Sequence, residues 1–547
     1  MGKLFGEDKS VLRAGYGRIY GRLNGVDLVL VPLLGTGLIQ AVQCRSVLAN
    51  GTCPPGTTPT VGPGANMAFR VGVDGNTAAL APATPTLPQP DFPGINAAAA
   101  GAGEALDPNF RPNAVDSFDV TVQRQLSSKM TLELGYIGRL IHHEYQPVNI
   151  NAVPYMMTMG GQTFAQAYAA VETAMGCATS AAACGANGVP TVSAQPFFET
   201  ALAGTGYCTG FANCTAAVVN KQFNNFSNQA VWSLWSALDK GGTSPGFNFA
   251  HTMLNTAGQL SSGVGVNASI GHGNYHAGFV SLRMSSWHGL TAQQNFTYSK
   301  ALGTGAFVQA TSEYTANDPF DLDQMYGVQA FDRKFIYNTF LVYQPEYYKG
   351  QQGIVGHLLG GWTFAPIFTA GSGAPVLCNT LTGGGFTGGT GAQGFGSGDG
   401  VNFFDNEQCL FTHGSPSVSA HYKVAGSNNV GTAVADNTNP NAEVNLFSNP
   451  EAVYNTVRAP ILGIDKRSGG VGSIRGLPYW NMDLSIKKNF RITERFNTEF
   501  QAVFTNLLNH MQFFDPLLDL QDPTTFGVLN AQGNNPRQME FGLRVSW

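Results

Sequence analysis

At the end of the chain Met539, Phe541, Leu543, Val545 and Trp547 alternate with Gln538, Glu540, Gly542, Arg544 and Ser546. Successive side chains of a strand leave on opposite faces, so this segment has one apolar and one polar face. It also has about the 9–11 residues that a tilted strand needs to cross a bilayer. Alternation also fits a strand of a soluble sandwich whose apolar face turns inward onto a core.

Recurrence favours the membrane reading. Trp480, Met482, Leu484 and Ile486 alternate with Asn481, Asp483, Ser485 and Lys487. A tight polar turn near Arg491 follows, then Phe496, Phe500, Ala502 and Phe504 stand against Asn497, Glu499, Gln501 and Thr505. The same period appears at Phe118, Val120 and Val122, and at Leu132, Leu134 and Tyr136, where Ile137 is the one breach on the polar side. Leu290, Ala292, Phe296 and Tyr298 repeat it once more. The expected fold is all-β: an antiparallel meander forming part of a transmembrane β-barrel, with Phe541, Leu543, Val545 and Trp547 as its C-terminal signal.

Ten strands are predicted, at 10–22, 113–126, 129–146, 275–286, 288–300, 331–345, 360–376, 478–490, 493–507 and 536–547. The links at Ser127–Ser128, Trp287 and Arg491 are tight and 346–359 is moderate, whereas 23–112, 147–274, 301–330, 377–477 and 508–535 are long. Barrels of this kind have short periplasmic turns and long outer loops, and a periplasmic C-terminus. Counting back from Trp547 therefore places every long link outside. Residues 147–274 read as a long extracellular insertion and 377–477 as a Gly-rich one, with residues 383–400 a flexible loop. The first is too long to be structureless. Residues 163–175 and 216–238 have helix-like composition, and short helices are expected there over the barrel mouth.

Composition agrees. Only 12% of the 547 residues are charged, with 68 glycines and 36 phenylalanines, against about 25% charged in a typical soluble protein. Uncharged polar residues facing a lumen lower the charge without raising hydropathy. No apolar run reaches the roughly 18 residues of a membrane helix; residues 26–42 come nearest and are broken by Asp27, Pro32, Gly35 and Gly37. A net charge of −5 without a basic stripe gives no sign of a nucleic-acid partner.

The eight cysteines fall in local couples, Cys44 with Cys53, Cys177 with Cys184, Cys208 with Cys214 and Cys378 with Cys409, all in links assigned to the outside. Such couples suit disulfides in an oxidising compartment, although sequence does not fix connectivity. None has the C-x₂-C spacing of a zinc site.

No catalytic constellation assembles, and no catalytic, cofactor or metal residue is assigned. Gly371-Ser372-Gly373 lacks the spacing of a nucleophile elbow, and Gly15-Tyr16-Gly17 falls inside a strand rather than before a helix. His142-His143-Glu144 suggests metal, yet consecutive strand residues face opposite ways and a solvated strand end explains them. Asp318, Asp321 and Asp323 fit either a cation site or plain turn chemistry. Tyr16, Tyr20, Tyr136, Trp362 and Tyr479 suit interfacial girdles.

Met1 is followed by no basic n-region and apolar h-region of a signal peptide. With Gly6-Glu7-Asp8-Lys9 read as a hairpin turn, the chain is expected to begin in mid-barrel and not to close on itself.

Val11-Leu12-Arg13-Ala14-Gly15-Tyr16-Gly17, Val122-Gln123-Arg124-Gln125, Leu134-Gly135-Tyr136-Ile137-Gly138, Asn295-Phe296-Thr297-Tyr298-Ser299-Lys300, Phe331-Asp332-Arg333, Gly360-Gly361-Trp362, Ser372-Gly373-Ala374-Pro375 and Asn535-Pro536-Arg537-Gln538 occur in this order. Together they resemble the C-terminal barrel of TonB-dependent outer-membrane receptors, and in particular the Oar-like group with a carboxypeptidase-regulatory-like N-terminal domain, abundant in Acidobacteria. That resemblance implies a barrel of about 22 strands around a plug and active uptake of a large or scarce nutrient across the outer membrane of a Gram-negative cell. It also implies outer-membrane lipid and the barrel-assembly machinery as partners, an unknown nutrient ligand, and TonB reached only through a plug domain that these residues lack. A passive porin or surface adhesion barrel is the alternative function, and a secreted β-rich enzyme a more distant one.

Overall fold

The computed structural model describes residues 9–21, 103–149, 153–180, 182–239, 246–247, 264–304, 308–309, 312–313, 318, 320–376, 378–379, 410–422, 430–432, 444–458, 460–465, 474–491, 496–516, 518–519 and 523–547. Its main sheet is a meander of ten strands in sequence order. They are β1 (Ser10–Tyr20), β2 (Ala114–Ser127), β3 (Met130–Asn149), β4 (Val264–Trp287), β5 (Leu290–Gly303), β6 (Phe335–Tyr343), β7 (Trp362–Gly371), β8 (Tyr479–Arg491), β9 (Asn497–Thr505) and β10 (Gln538–Ser546). Every neighbouring pair is antiparallel. Among the described residues β1 and β10 do not pair with each other, so the sheet is open, as expected.

Register shows that the period-two pattern is shared across strands. Phe500 stands opposite Leu543, Ala502 opposite Phe541 and Phe504 opposite Met539, while Glu499 faces Arg544 and Gln501 faces Gly542. One apolar face runs through the whole sheet, by way of Leu12 and Val122, Leu134 and Val280, Phe296 and Tyr337, and Phe364 and Ile486. Its residues are bare: Phe541 is 62% exposed and Leu543 71%. The opposite face carries hydrogen-bonded polar groups, with Ser281 donating to Asn295 at 2.8 Å and Lys487 lying 3.7 Å from Glu499. Tyr479 departs from the girdle expectation. It pairs with Gly371 on the polar face, and its ring fills the space a Cβ at Gly371 would take.

The 128–129 and 288–289 turns are tight, and Gly289 adopts the positive φ that the second requires. All five long connections leave the same end. Strands β3 and β4 run further that way than the pattern indicated, to Asn149 and from Val264, so the insertion spans 150–263 rather than 147–274. The extension was hidden because alternation fails there: β3 bulges at His143 and the facing stretch of β4 is glycine-rich.

The insertion carries α1 (Phe164–Ala174), α2 (Pro196–Ala201), α3 (Cys214–Lys221), α4 (Phe223–Ser227) and α5 (Val231–Leu238). The two helical stretches expected from composition are present, the second divided in three, and α2 is additional. Thr163 caps α1 in a reciprocal box with Gln166, and Asn213 caps α3. These helices bury Phe164, Phe197, Phe198, Phe226 and Trp235 in a core of their own. A second core gathers Cys378, Leu446, Phe447, Leu518 and Phe526 from the β7–β8 and β9–β10 connections. Disulfides Cys177–Cys184 and Cys208–Cys214 have Cα atoms 3.9 and 4.7 Å apart. Cys378 is also disulfide-bonded; Cys44, Cys53 and Cys409 lie outside the described residues, as does the 383–400 loop.

Candidate functional site

Three outer connections meet around one cleft of about 540 Å³. The helical lobe supplies Tyr155, Met156 and the start of α1; the β5–β6 connection supplies Asp318, Phe320, Asp321 and Asp323; the β7–β8 connection supplies Leu462, Gly463 and Asp465. Residues this far apart in sequence meet because their strands are neighbours and their loops leave the same end of the sheet.

The 461–465 segment is the keystone. Ile461 and Leu462 insert into the core of the helical lobe. Gly463, at φ +104, approaches Ala165 so closely that a Cβ would lie 2.5 Å from its carbonyl oxygen, which leaves glycine as the residue that fits. Asp465 holds Arg458 through two hydrogen bonds of 2.6 and 2.9 Å and accepts the Ile461 N–H at 2.7 Å. Arg458 also donates to the Ala178 carbonyl at 3.0 Å, and Thr412 donates to that of Thr179 at 2.9 Å. The Cys177–Cys184 loop is thereby the joint between the two lobes.

On the opposite wall, turn chemistry uses two of the three aspartates. Asp318 accepts the Phe320 N–H at 2.9 Å and Asp321 caps a 3₁₀ turn through the Asp323 N–H at 3.1 Å. Burial pushes the Asp318 carboxyl up to about 6, and Asp321 nearby adds to the shift. Asp323 lies 3.9 Å from His272 Nε2, whose ring stacks on Tyr326. The cleft is lined by both acidic and apolar side chains, a surface suited to a ligand with cationic and apolar parts. Among the described residues the one group of three metal-donor atoms within 4.8 Å of one another is Glu172, Cys177 and Cys184, whose sulfurs are joined in the disulfide.

The other sequence candidates take structural roles. Ser372 accepts the Lys334 and Phe335 N–H groups at 2.8 and 3.3 Å, and Gly15 and Gly17 lie within β1. Sequence reasoning missed the long-range ion pairs. Asp332 of the Phe331-Asp332-Arg333 motif is buried, accepts the Ala301 N–H and pairs with Arg475. Asp116 binds Arg18 at 2.7 Å and the Tyr16 hydroxyl at 2.9 Å. A charge standing in an otherwise apolar register, as Asp116 does beside Phe118 and Val120, was the available signal. His142 and His143 both line a second groove, at a β3 bulge where the ladder shifts register.

A family model described as the outer membrane beta barrel domain matches residues 3–540. The chain belongs to that family. The barrel domain therefore resides in the outer membrane, its apolar face toward lipid and its polar face toward the lumen, and it is a membrane barrel rather than an enzyme fold. No curated protein matches the sequence. Among solved structures, the outer membrane transporter YddB from Escherichia coli is similar at 6% identity and a TM-score of 0.33, covering 82% of this chain and 34% of its own. The ferric enterobactin receptor of Pseudomonas aeruginosa gives 8% identity and 0.33, covering 98% and 38%, and the E. coli ferric-catecholate import receptor Fiu gives 7% and 0.28, covering 82% and 29%. The barrel domain thus spans about a third of the length of these structures.

Proposed function

We propose that the barrel domain is wall and outer-loop structure of a TonB-dependent receptor of the Oar-like kind, which takes up a large or scarce nutrient. Coupling to TonB runs through a plug domain and not through these residues. The observation that carries this reading is the cleft: three long connections converge on one acidic and apolar surface, locked by Arg458–Asp465. A passive channel gains nothing from so elaborate a closure over its outer loops, whereas a receptor needs a fixed surface to select its ligand before translocation. Barrel-assembly machinery and outer-membrane lipid are the partners that folding of the lipid-facing sheet requires.

The test uses cells carrying the gene for the whole receptor, with and without TonB, grown in a complex nutrient extract whose compounds are followed by mass spectrometry. A compound depleted only when both receptor and TonB are present is expected, with Phe320→Ala and Asp321→Ala slowing its loss. Depletion that persists without TonB would make the protein a passive porin and overturn the proposal.

A further inference from the structure

We propose that His142, His143 and His272 form a binding site for a divalent transition-metal ion of the copper, nickel or zinc type, on the outer rim of the sheet. The site lies in a groove beside the acidic cleft, which it meets at Asp323, and does not rest on the transport reading. His142 and His272 are direct cross-strand partners on β3 and β4. Such partners have Cβ atoms about 4.5–5.5 Å apart on one face, within reach of a single ion for two imidazoles. Behind the His142 ring stands a hydrogen-bonded carboxylate. His142 Nε2 is 3.1 Å from Asp116 Oδ2, and His272 Nε2 is 3.9 Å from Asp323 Oδ1. The Asp116 carboxylate, at hydrogen-bond distance, can hold the His142 Nε2 proton, orient that ring and leave Nδ1 as the metal donor, the arrangement by which outer groups support histidine ligands, whereas Asp323 is beyond hydrogen-bond reach of His272.

The third imidazole comes from the bulge. His143 is the extra residue between the His142–His272 and Glu144–Gly271 pairs, and it has φ +56. His143 lines the same groove as its neighbour, and its left-handed backbone at the bulge interrupts the regular alternation of faces there. The groove is about 390 Å³ and also receives Asp107, with Arg111 as its one lining cation. As they stand the donor atoms surround the groove without converging. The His142 and His272 side chains are nearly half exposed, so rotation can bring them together. Imidazole donors select copper, nickel or zinc over magnesium and calcium, which prefer oxygen.

The probe is Cu²⁺ added to the tag-free whole chain in detergent micelles, read by electron paramagnetic resonance and competed with Zn²⁺. One equivalent bound through two or three nitrogens is expected. His142→Ala and His272→Ala should each weaken binding at least tenfold, and Asp116→Asn roughly tenfold, the range for loss of a supporting carboxylate. His413→Ala, in a different connection, should change nothing. His272→Gln keeps a polar side chain at that position and serves where the alanine variant fails to fold. Unchanged Cu²⁺ affinity in a folded His142→Ala/His272→Gln double variant, or a signal from oxygen donors alone, would overturn the proposal.

Discussion

Trp235 in the helical lobe is fully buried, while Trp547 at the end of the sheet is 86% exposed. The same contrast separates Phe164 and Phe197 of the lobe from Phe496 and Phe541 of the sheet. Both regions are rich in aromatic residues, and the difference lies in the solvent each meets. The lobe folds in water and hides its rings from it. The sheet folds in lipid, satisfies its backbone through neighbouring strands and turns its rings outward. Exposure of a phenylalanine therefore marks a defect in one half of this molecule and correct placement in the other.

The largest effect that separates the two halves is expected from Trp235→Ala. Removing a fully buried tryptophan costs about 3–5 kcal/mol, and the loss should stay in the lobe. Hydrogen exchange should show the amides of α1, α3 and α5 losing protection while those of β8 to β10 keep theirs. Equal loss in both would mean that lobe and sheet unfold as one unit.

Next in size is a matched pair on β9. Phe500→Arg sets a charge on the lipid-facing side and should cost about 2–4 kcal/mol, whereas Gln501→Arg, one residue on and facing the lumen, should stay within about 1 kcal/mol. Denaturant unfolding from lipid vesicles measures both. Similar costs would break the assignment of faces.

This contrast also explains how much was legible in the sequence. Where one face meets lipid the alternation is readable, most plainly in β8 to β10, although Arg18 and Asp116 interrupt it on the apolar face of β1 and β2. Where the hairpin of β3 and β4 rises beyond the bilayer, both faces meet water or other loops, the alternation lapses and the strand ends were placed too short. The cleft was less visible still. Asp318, Asp321 and Asp323 stood out as an acidic group, but nothing in the 461–465 segment announced that Ile461 and Leu462 would lock into a lobe almost 300 residues upstream. At His143 a bulge interrupts the ladder, which a rule of regular alternation does not foresee.

The smallest effect is pH dependence confined to the water-facing half. Burial holds the Asp318 carboxyl at about 6 in the folded chain, against about 3.9 unfolded. Between those values the folded state binds more proton than the unfolded one, so stability falls as pH rises from about 4 to 6 and is level above that. The whole change is of the order of 2 kcal/mol, because a shift of one unit corresponds to about 1.4 kcal/mol and a charged carboxylate relaxes toward solvent. Asp318→Asn should flatten that step in thermal unfolding and in the exchange of amides 320–326. Comparison with the variant isolates this step from Glu172, which burial in the helical lobe also raises. A step in the opposite direction, abolished by the same substitution, would require a positive charge against the Asp318 carboxylate in the folded state, and the cleft would then be holding a cation.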